Sequence, residues 1–151
     1  MAAKVYALSL KQPWATLLVH GLKTIEIRRW PTNRRGRVLI HASRTPDERP
    51  EAWARVPAAL LEHACWRGGI VGEGTILECI AYVSLESFLK DQDAHLNDPA
   101  WFQAGLYGFR FANLAPLPFR PCLGWVRFFA VDHRGNTPAP GSRRKRSSSN
   151  P

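Results

Sequence analysis

The chain has 151 residues, of which 45% are hydrophobic and 22% are charged, and its formal net charge is +9. This length fits one domain with a buried core, and the composition is ordinary for a soluble globular protein. No apolar run approaches the roughly 20 residues that cross a membrane, which excludes a membrane-spanning protein. The three cysteines are odd in number and form no Cys-x-x-Cys pair, so we expect a cytoplasmic protein, and we expect it to be a monomer.

Positive charge is concentrated in two segments of the chain. Residues 133–151 contain five basic residues and no acid, and residues 23–44 contain seven basic residues with Glu26 as the single acid. Such segments attract polyanions in a salt-dependent manner. We therefore expect a nucleic acid, RNA or DNA, as the partner, and no membrane contact.

The two ends of the chain differ in composition. Residues 1–132 predict one folded domain, whereas residues 133–151 are rich in Gly, Pro, Ser and Arg and predict a disordered basic tail. The basic run at 143–146 has three interpretations: an arm that adds affinity for nucleic acid, a nuclear-localisation-like signal, or an end without a function.

The first elements in chain order are a strand and a short helix. Residues 5–10 predict the strand, and Pro13 suits the first position of the helix, because its missing N–H costs nothing there. Gly21 suits the left-handed residue that ends a helix.

Residues 24–30 alternate in polarity, which is typical of a half-buried strand. Glu26 and Arg28 then share one face of the strand with Thr24. Lys23 lies in the turn before the strand and is free to join either face.

The later elements follow from composition and from the positions of glycines. Gly72 and Gly74 interrupt a long β-prone stretch and predict a bulge that helps the sheet to curl. The predictions are a turn at 33–36, a strand at 37–42, a loop with a short helix at 45–57, a helical segment at 58–66, a strand at 70–82, a helix at 85–90, a polar loop at 91–99, and strands at 106–111 and 125–131.

One motif in this chain resembles a known family. The pattern Gly-x-Lys-x-x-Glu-x-Arg, formed by Gly21, Lys23, Glu26 and Arg28, resembles the hallmark of the ASCH family, the activating-signal-cointegrator homology domains. The preceding segment, with Gln-Pro-Trp-Ala at 12–15, is similar to the branch nearest the C-terminal domain of a transcriptional coactivator. The resemblance spans residues 5–131 and is strongest in the first 45.

The resemblance implies an α+β fold related to the pseudouridine-synthase-and-archaeosine-transglycosylase (PUA) domains. The expected architecture is a small mixed or antiparallel β-barrel flanked by short helices, with the hallmark residues in a cleft that binds nucleic acid. We expect no cofactor. We also expect no metal, because His63 and Cys65 are spaced two residues apart and no second pair completes a zinc site.

The hallmark residues have a binding interpretation and a simpler one. Lys23 and Arg28 suit phosphates or base acceptors, and an ionised Glu26 only accepts hydrogen bonds, which suits the exocyclic amine of a base. The simpler interpretation is a surface ion pair between Glu26 and Arg28, worth about 0 to 1 kcal/mol.

The other binding candidates are aromatic, polar or basic. Trp14 and Trp30 either stack on unpaired bases or belong to the core. Gln12 either lies at an anion-favouring helix N-terminus or is an ordinary cap. His41 is either an acid or base in the cleft or a structural histidine. The basic candidates are Arg29, Arg35 and Arg37.

Hydrolysis of a nucleic acid or a modified nucleoside is the alternative function. One branch of the family removes the acyl group from N4-acetylcytidine, and ribonuclease activity is attributed to some members. The amidohydrolase branch resembles this chain at Lys23 but has a nucleophilic threonine where this chain has Glu26, so we favour binding over catalysis. An enzyme would use Lys23, Glu26, Thr24 and His41.

Overall fold

The structure is a computed structural model that describes residues 4–132. The predicted basic tail at 133–151 lies outside these residues. No helix in the described part is long and apolar enough to cross a membrane. The strands are β1 (Val5–Leu10), β2 (Ile25–Arg28), β3 (Gly36–Ala42), β4 (Gly69–Tyr82), β5 (Leu106–Pro121) and β6 (Phe128–Val131). The helices are α1 (Trp14–Val19), α2 (Pro50–Trp53), α3 (Leu85–Lys90) and α4 (Gln92–His95), with 3₁₀ turns at Ala58–Leu60, His63–Cys65 and Pro99–Trp101.

The strands form one mixed sheet that curls into a half-barrel. Their order is β2-β5-β4-β3-β1-β6, in which β1 and β3 are parallel and every other neighbouring pair is antiparallel. Phe109 on β5 stacks with Phe128 on β6 at 6.2 Å between ring centroids, although three strands separate β5 from β6 in the sheet. The fold confirms the predicted α+β class, a curled mixed sheet with short helices.

Bulges in the two longest strands produce the curl. The pairing of β4 with β5 shifts register at three places; Gly72 borders the first shift, and Gly74 lies within the second, between Glu73 and Thr75. A methyl group at Gly72 would overlap with Val19 of α1, so this glycine also lets the helix approach the sheet. The predicted role of these glycines in bending the sheet agrees with the geometry.

Apolar side chains cover both faces of the central strands. On β3, Val38, Ile40 and Ala42 belong to the main core beneath α1, while Leu39 faces a second cluster with Phe129. Alternate residues of a strand point to opposite faces, so β3 is buried on both. The six-residue helix α1 is fully buried and is held by this packing rather than by its own propensity.

Several predicted boundaries differ from the structure. The helix starts at Trp14, one residue after Pro13, and β2 is shorter than the predicted strand at 24–30. The segment 58–66 forms two separate 3₁₀ turns rather than a helix, and the predicted loop at 91–99 contains α4. β5 extends ten residues past the predicted end at 111, because β4 offers it hydrogen-bonding partners as far as Pro121. β6 begins at Phe128 rather than at 125.

The end of α1 determines how the chain enters β2. Gly21 has a φ of +76°, and its N–H donates to Leu18 O at 2.9 Å while the N–H of Leu22 donates to Leu17 O at 3.0 Å. These two bonds form a Schellman motif, which satisfies the last carbonyls of the helix and reverses the chain. The turn places Lys23 directly before β2.

We expect Gly21→Ala to lower the free energy of unfolding by about 1 kcal/mol, since a Cβ disfavours the left-handed conformation. An added Cβ meets no atom within 4 Å, so the loss reflects backbone conformation alone. Gly21→Asn is the matched control, because asparagine tolerates this region better and should lose less stability. Chemical denaturation measures both variants, and equal stabilities of Gly21→Ala and the parent protein would contradict the assignment.

Candidate functional site

A cleft of about 1040 Å³ opens beside β2. Its walls come from the start of α1 and from the loops at 43–49, 97–103 and 123–127. Six basic side chains and two acidic ones line it, so its charge is positive. The basic ones are Lys11, Arg28, Arg29, Arg44, Arg49 and Arg127, and the acidic ones are Glu26 and Asp47. Four tryptophans also line it: Trp14, Trp30, Trp101 and Trp125.

The hallmark charges form a continuous chain at the floor of the cleft. Glu26 Oε1 lies 3.4 Å from Lys23 Nζ, and Glu26 Oε2 lies 3.2 Å from Arg28 Nη2. Arg28 Nη2 also donates to Ser9 O of β1 at 2.6 Å, across the open side of the half-barrel. The alternation in β2 thus brings Glu26 and Arg28 to one face, and Lys23 joins them from the turn. These three residues form a partly buried network rather than a surface ion pair.

Lys23 lies behind Glu26 and does not reach the cleft surface. Its side chain is fully buried, its Nζ donates to His95 O at 2.6 Å, and it lies 4.8 Å from the centre of the Trp14 ring. Burial lowers the pKa of Lys23 to about 8, while the neighbouring Glu26 raises it and Arg28 lowers it. Lys23 therefore contacts the cleft only through Glu26, and its ammonium group is not exposed to the cleft.

A second network holds the wall opposite β2. Asp47 accepts from Trp14 Nε1 at 2.8 Å and from the Arg49 side chain, whose Nη2 lies 2.6 Å away. Burial alone raises the pKa of Asp47, but the hydrogen bonds from Arg49 and Trp14 outweigh it and hold the pKa at about 2. The Arg49 guanidinium also stacks on Trp101, 3.6 Å from the ring centre. This wall is therefore held together by hydrogen bonds and ring stacking, and it carries an ionised carboxylate.

The tryptophans of the cleft differ in how much of the ring is exposed. Trp14 is 7% exposed and belongs to the main core, so it forms part of the wall and is not a free stacking surface. Trp30 is half-buried, packs edge-on against Phe109 and Phe128, and has the Arg127 guanidinium 5.0 Å from its ring centre. Trp30 thus lines the cleft together with Glu26 and Arg28, although β2 ends at Arg28 and strand alternation does not extend to Trp30.

His41 lies in the floor of the cleft as a hydrogen-bonded residue. Its Nε2 is 2.7 Å from Cys122 O and its Nδ1 is 2.9 Å from Ser9 Oγ. A carbonyl only accepts, so Nε2 carries the proton and Nδ1 accepts from the serine hydroxyl. Burial lowers the pKa of His41, although the bond to Cys122 opposes this effect. The geometry favours the structural interpretation of His41 over that of an acid or base.

Besides Lys23, four of the predicted site residues do not line the cleft. Gln12 is fully buried, and its side chain accepts from Thr16 N at 3.0 Å and donates to Trp66 O at 2.9 Å. The N-cap residue of α1 is Pro13, so Gln12 satisfies a helix N–H from the position before the cap, and its side chain is occupied by protein contacts rather than by an anion. Thr24 lies outside the cleft lining, and its backbone is bonded to Ala94 and Phe111.

The other two predicted site residues that do not line the cleft are the arginines Arg35 and Arg37. Arg35 is exposed and donates to carbonyls of its own loop. Arg37 lies at the start of β3, away from the cleft, where it pairs with Glu73 at 2.6 Å and borders a separate small pocket. Both arginines were predicted at the site because they are close to the hallmark in sequence, but the loop before β3 and the start of β3 lie outside the cleft lining.

The sequence interpretation missed the wall formed by Asp47, Arg49 and Trp101. These residues lie in loops, where no periodicity assigns a face to a side chain. The pair Asp47 and Arg49 directly before Pro50 was the available signal, since an acid and a base flanking a helix start suggest a local contact. Arg44, at the end of the basic segment, does line the cleft, as does Arg29.

The comparison with protein families decides the family of this chain. The ASCH domain family matches residues 8–115, which is more than half of the chain and extends from the second half of β1 to the middle of β5. This chain belongs to the ASCH domain family. The family is linked with RNA binding, which supports a nucleic-acid-binding function in coarse terms.

Curated relatives match this ASCH domain over a short segment. Activating signal cointegrator 1 from mouse and from human is 53% identical over 38 residues, which are 25% of this chain and 6% of each relative. The chain therefore spans a small part of these relatives, and the match agrees with the branch that the motif indicates.

Solved structures share the fold of this ASCH domain. ASCH from Zymomonas mobilis aligns with a TM-score of 0.54 at 17% identity, covering 78% of this chain and 73% of that one. A serine-to-alanine mutant of the same Zymomonas mobilis protein aligns with a TM-score of 0.61 at 14% identity, covering 87% of this chain and 91% of that one. At these identities the likeness concerns the fold.

The buried ammonium of Lys23 predicts a pH dependence of stability. Below a pH of about 8 Lys23 is charged in both the folded and the unfolded chain, and the folded state carries the full cost of burying it. As the pH rises further, the folded chain loses this proton while the unfolded chain keeps it up to a pH of about 10.5, so the free energy of unfolding increases.

We expect the free energy of unfolding of the parent protein, relative to that of Lys23→Met, to rise by about 1 to 3 kcal/mol between a pH of about 7 and one of about 10. Urea denaturation of both proteins at several pH values measures this difference, and groups common to both cancel. A difference that stays constant over the range would contradict a depressed pKa of Lys23.

Proposed function

We propose that this ASCH domain binds RNA or DNA through the cleft, with an unpaired base against Glu26 and Arg28 at the floor. The observation that carries the proposal is the buried Glu26 carboxylate, held between Lys23 and Arg28 in a cleft that six basic side chains line. The volume of about 1040 Å³ lies at the upper end of the range for small-ligand sites, which suits a nucleotide better than a duplex.

The exposed basic residues supply affinity for phosphates. Lys11, Arg29, Arg44 and Arg127 are exposed at the cleft. Each phosphate that they neutralise releases counterions, so binding weakens as the salt concentration rises. These contacts position the strand and are independent of its sequence.

The floor supplies base recognition. Glu26 is 6% exposed, and its carboxylate only accepts hydrogen bonds when it is ionised. The exocyclic amine of cytosine, adenine or guanine donates, whereas the corresponding edge of uracil or thymine presents a carbonyl oxygen. Glu26 therefore favours bases that carry an amine.

The contacts of the catalytic candidates support binding over hydrolysis. The Lys23 ammonium has no exposed surface and is occupied by His95 O and Glu26. Thr24 is the displaced alternative to the missing threonine nucleophile, and it lies outside the cleft lining. A nucleophile must lie within reach of the reacting atom and of its base, which neither residue achieves in this geometry.

We expect Arg127→Gln to weaken binding of a single-stranded oligonucleotide several-fold and to reduce the slope of log affinity against log salt by about 1. Arg37→Gln is the matched control, because it removes the same charge from an exposed arginine that does not line the cleft. Fluorescence anisotropy at several salt concentrations measures both. Equal losses in the two variants would contradict the cleft as the binding surface.

We expect the parent protein to bind an oligocytidine about tenfold more tightly than an oligouridine of equal length, because a single good contact to a base edge accounts for a difference in affinity of about this size. Glu26→Gln should narrow this preference, because a side-chain amide also donates to a carbonyl. Glu73→Gln, which removes the acid that pairs with Arg37, is the control and should leave the preference unchanged. A preference that survives Glu26→Gln intact would rule out base recognition by Glu26.

A further inference from the structure

A second aromatic surface lies outside the cleft. Trp66 is 37% exposed and Phe119 is 36% exposed, and their rings lie 5.8 Å apart between centroids. His63 packs against Trp66 at 4.8 Å. We call the surface formed by Trp66, Phe119 and His63 the Trp66 platform. Ring faces that are both grouped and exposed mark a binding surface more often than scattered apolar residues do.

The backbone beneath the platform is held from both sides. Trp66 O accepts from the buried side chain of Gln12 at 2.9 Å. Gly68 N donates to Ala42 O at 2.8 Å, and Gly68 O accepts from Cys122 N at 3.0 Å. The segment 66–68 is therefore fixed to the strands that form the cleft, so the platform keeps one position relative to it. A surface held in this way binds a ligand without a further cost of ordering.

Basic residues connect the platform with the cleft. Arg44 lines the cleft and also lies against Gly68, where an added methyl group would be 3.2 Å from Arg44 Cγ and 3.3 Å from Arg44 Nε. Arg67 is exposed between Trp66 and Gly68. Aromatic rings alternating with guanidinium groups are the surface that single strands prefer, because bases stack on the rings and phosphates meet the cations.

We propose that a single strand bound in the cleft continues across Arg44 to the Trp66 platform, where a further unpaired base stacks on Trp66. This inference rests on the proposed function of the cleft. A paired base does not present its face to a side chain, so the platform selects single strands over duplexes. Stacking does not read base edges, so this second contact has little sequence preference.

Oligonucleotides of two lengths, each as RNA and as DNA, test the proposal by fluorescence anisotropy. The short one of about three nucleotides fills the cleft, and the long one of about ten also reaches the platform. Trp66→Ala should lower the affinity for the long one about tenfold and leave that for the short one unchanged. Trp66→Phe keeps a stacking face and should keep most of the affinity. Leu77→Ala, at a residue that is 51% exposed elsewhere on the sheet, is the control and should change neither.

The outcomes separate the platform from the cleft. If Trp66→Ala leaves the long oligonucleotide unaffected while Arg127→Gln weakens it, the platform proposal is wrong and the cleft proposal stands. If Trp66→Ala weakens both lengths equally, its effect is structural and the platform proposal is also wrong. If long-strand binding depends on Trp66 but not on Arg127 or Glu26, the cleft is not the binding site. Thermal unfolding of each variant verifies that it is folded.

Discussion

The burial of one ammonium group determines the arrangement around the cleft. An isolated charge in a protein interior is strongly destabilising unless other groups replace the water that it loses. Three different elements supply those groups to Lys23: α1 supplies the Trp14 ring, β2 the Glu26 carboxylate and α4 the His95 carbonyl. The requirement to surround this single group therefore fixes α1, β2 and α4 relative to one another.

The polar contacts that begin at Lys23 continue across the open side of the sheet. Glu26 also pairs with Arg28, and Arg28 donates to the Ser9 carbonyl of β1. The edge strands of the sheet are β2 and β6, and β1 is the neighbour of β6, so this side chain links the β2 edge to the opposite side of the half-barrel across the gap between the two edges. Replacing the network with apolar residues would avoid the desolvation cost, but it would also remove the polar floor. The position of Glu26 at that floor is thus a consequence of how the half-barrel is held together.

Local patterns in the sequence were sufficient to predict where Glu26 and Gly21, which lie on or next to regular elements, are placed. Strand alternation predicts the shared face of Glu26 and Arg28, and a positive φ at Gly21 follows from its place after an apolar helical stripe. Asp47, Arg49 and Trp101 were not predictable in this way, because their positions depend on loops and on long-range contacts. Arg37 shows the opposite error: it is close to the hallmark in sequence, yet it lies at the start of β3 beside Glu73 and does not line the cleft.

The length and curvature of β5 have a consequence for the cleft as a whole. Trp101 stands just before this strand and the wall at 123–127 follows it, so the two sides of the opening are joined by one continuous stretch of chain. The bulges between β4 and β5 determine how far that stretch curls back on itself. The width of the opening is therefore a property of the sheet, and relatives that differ in these bulges would accept ligands of different thickness even with the same residues facing them.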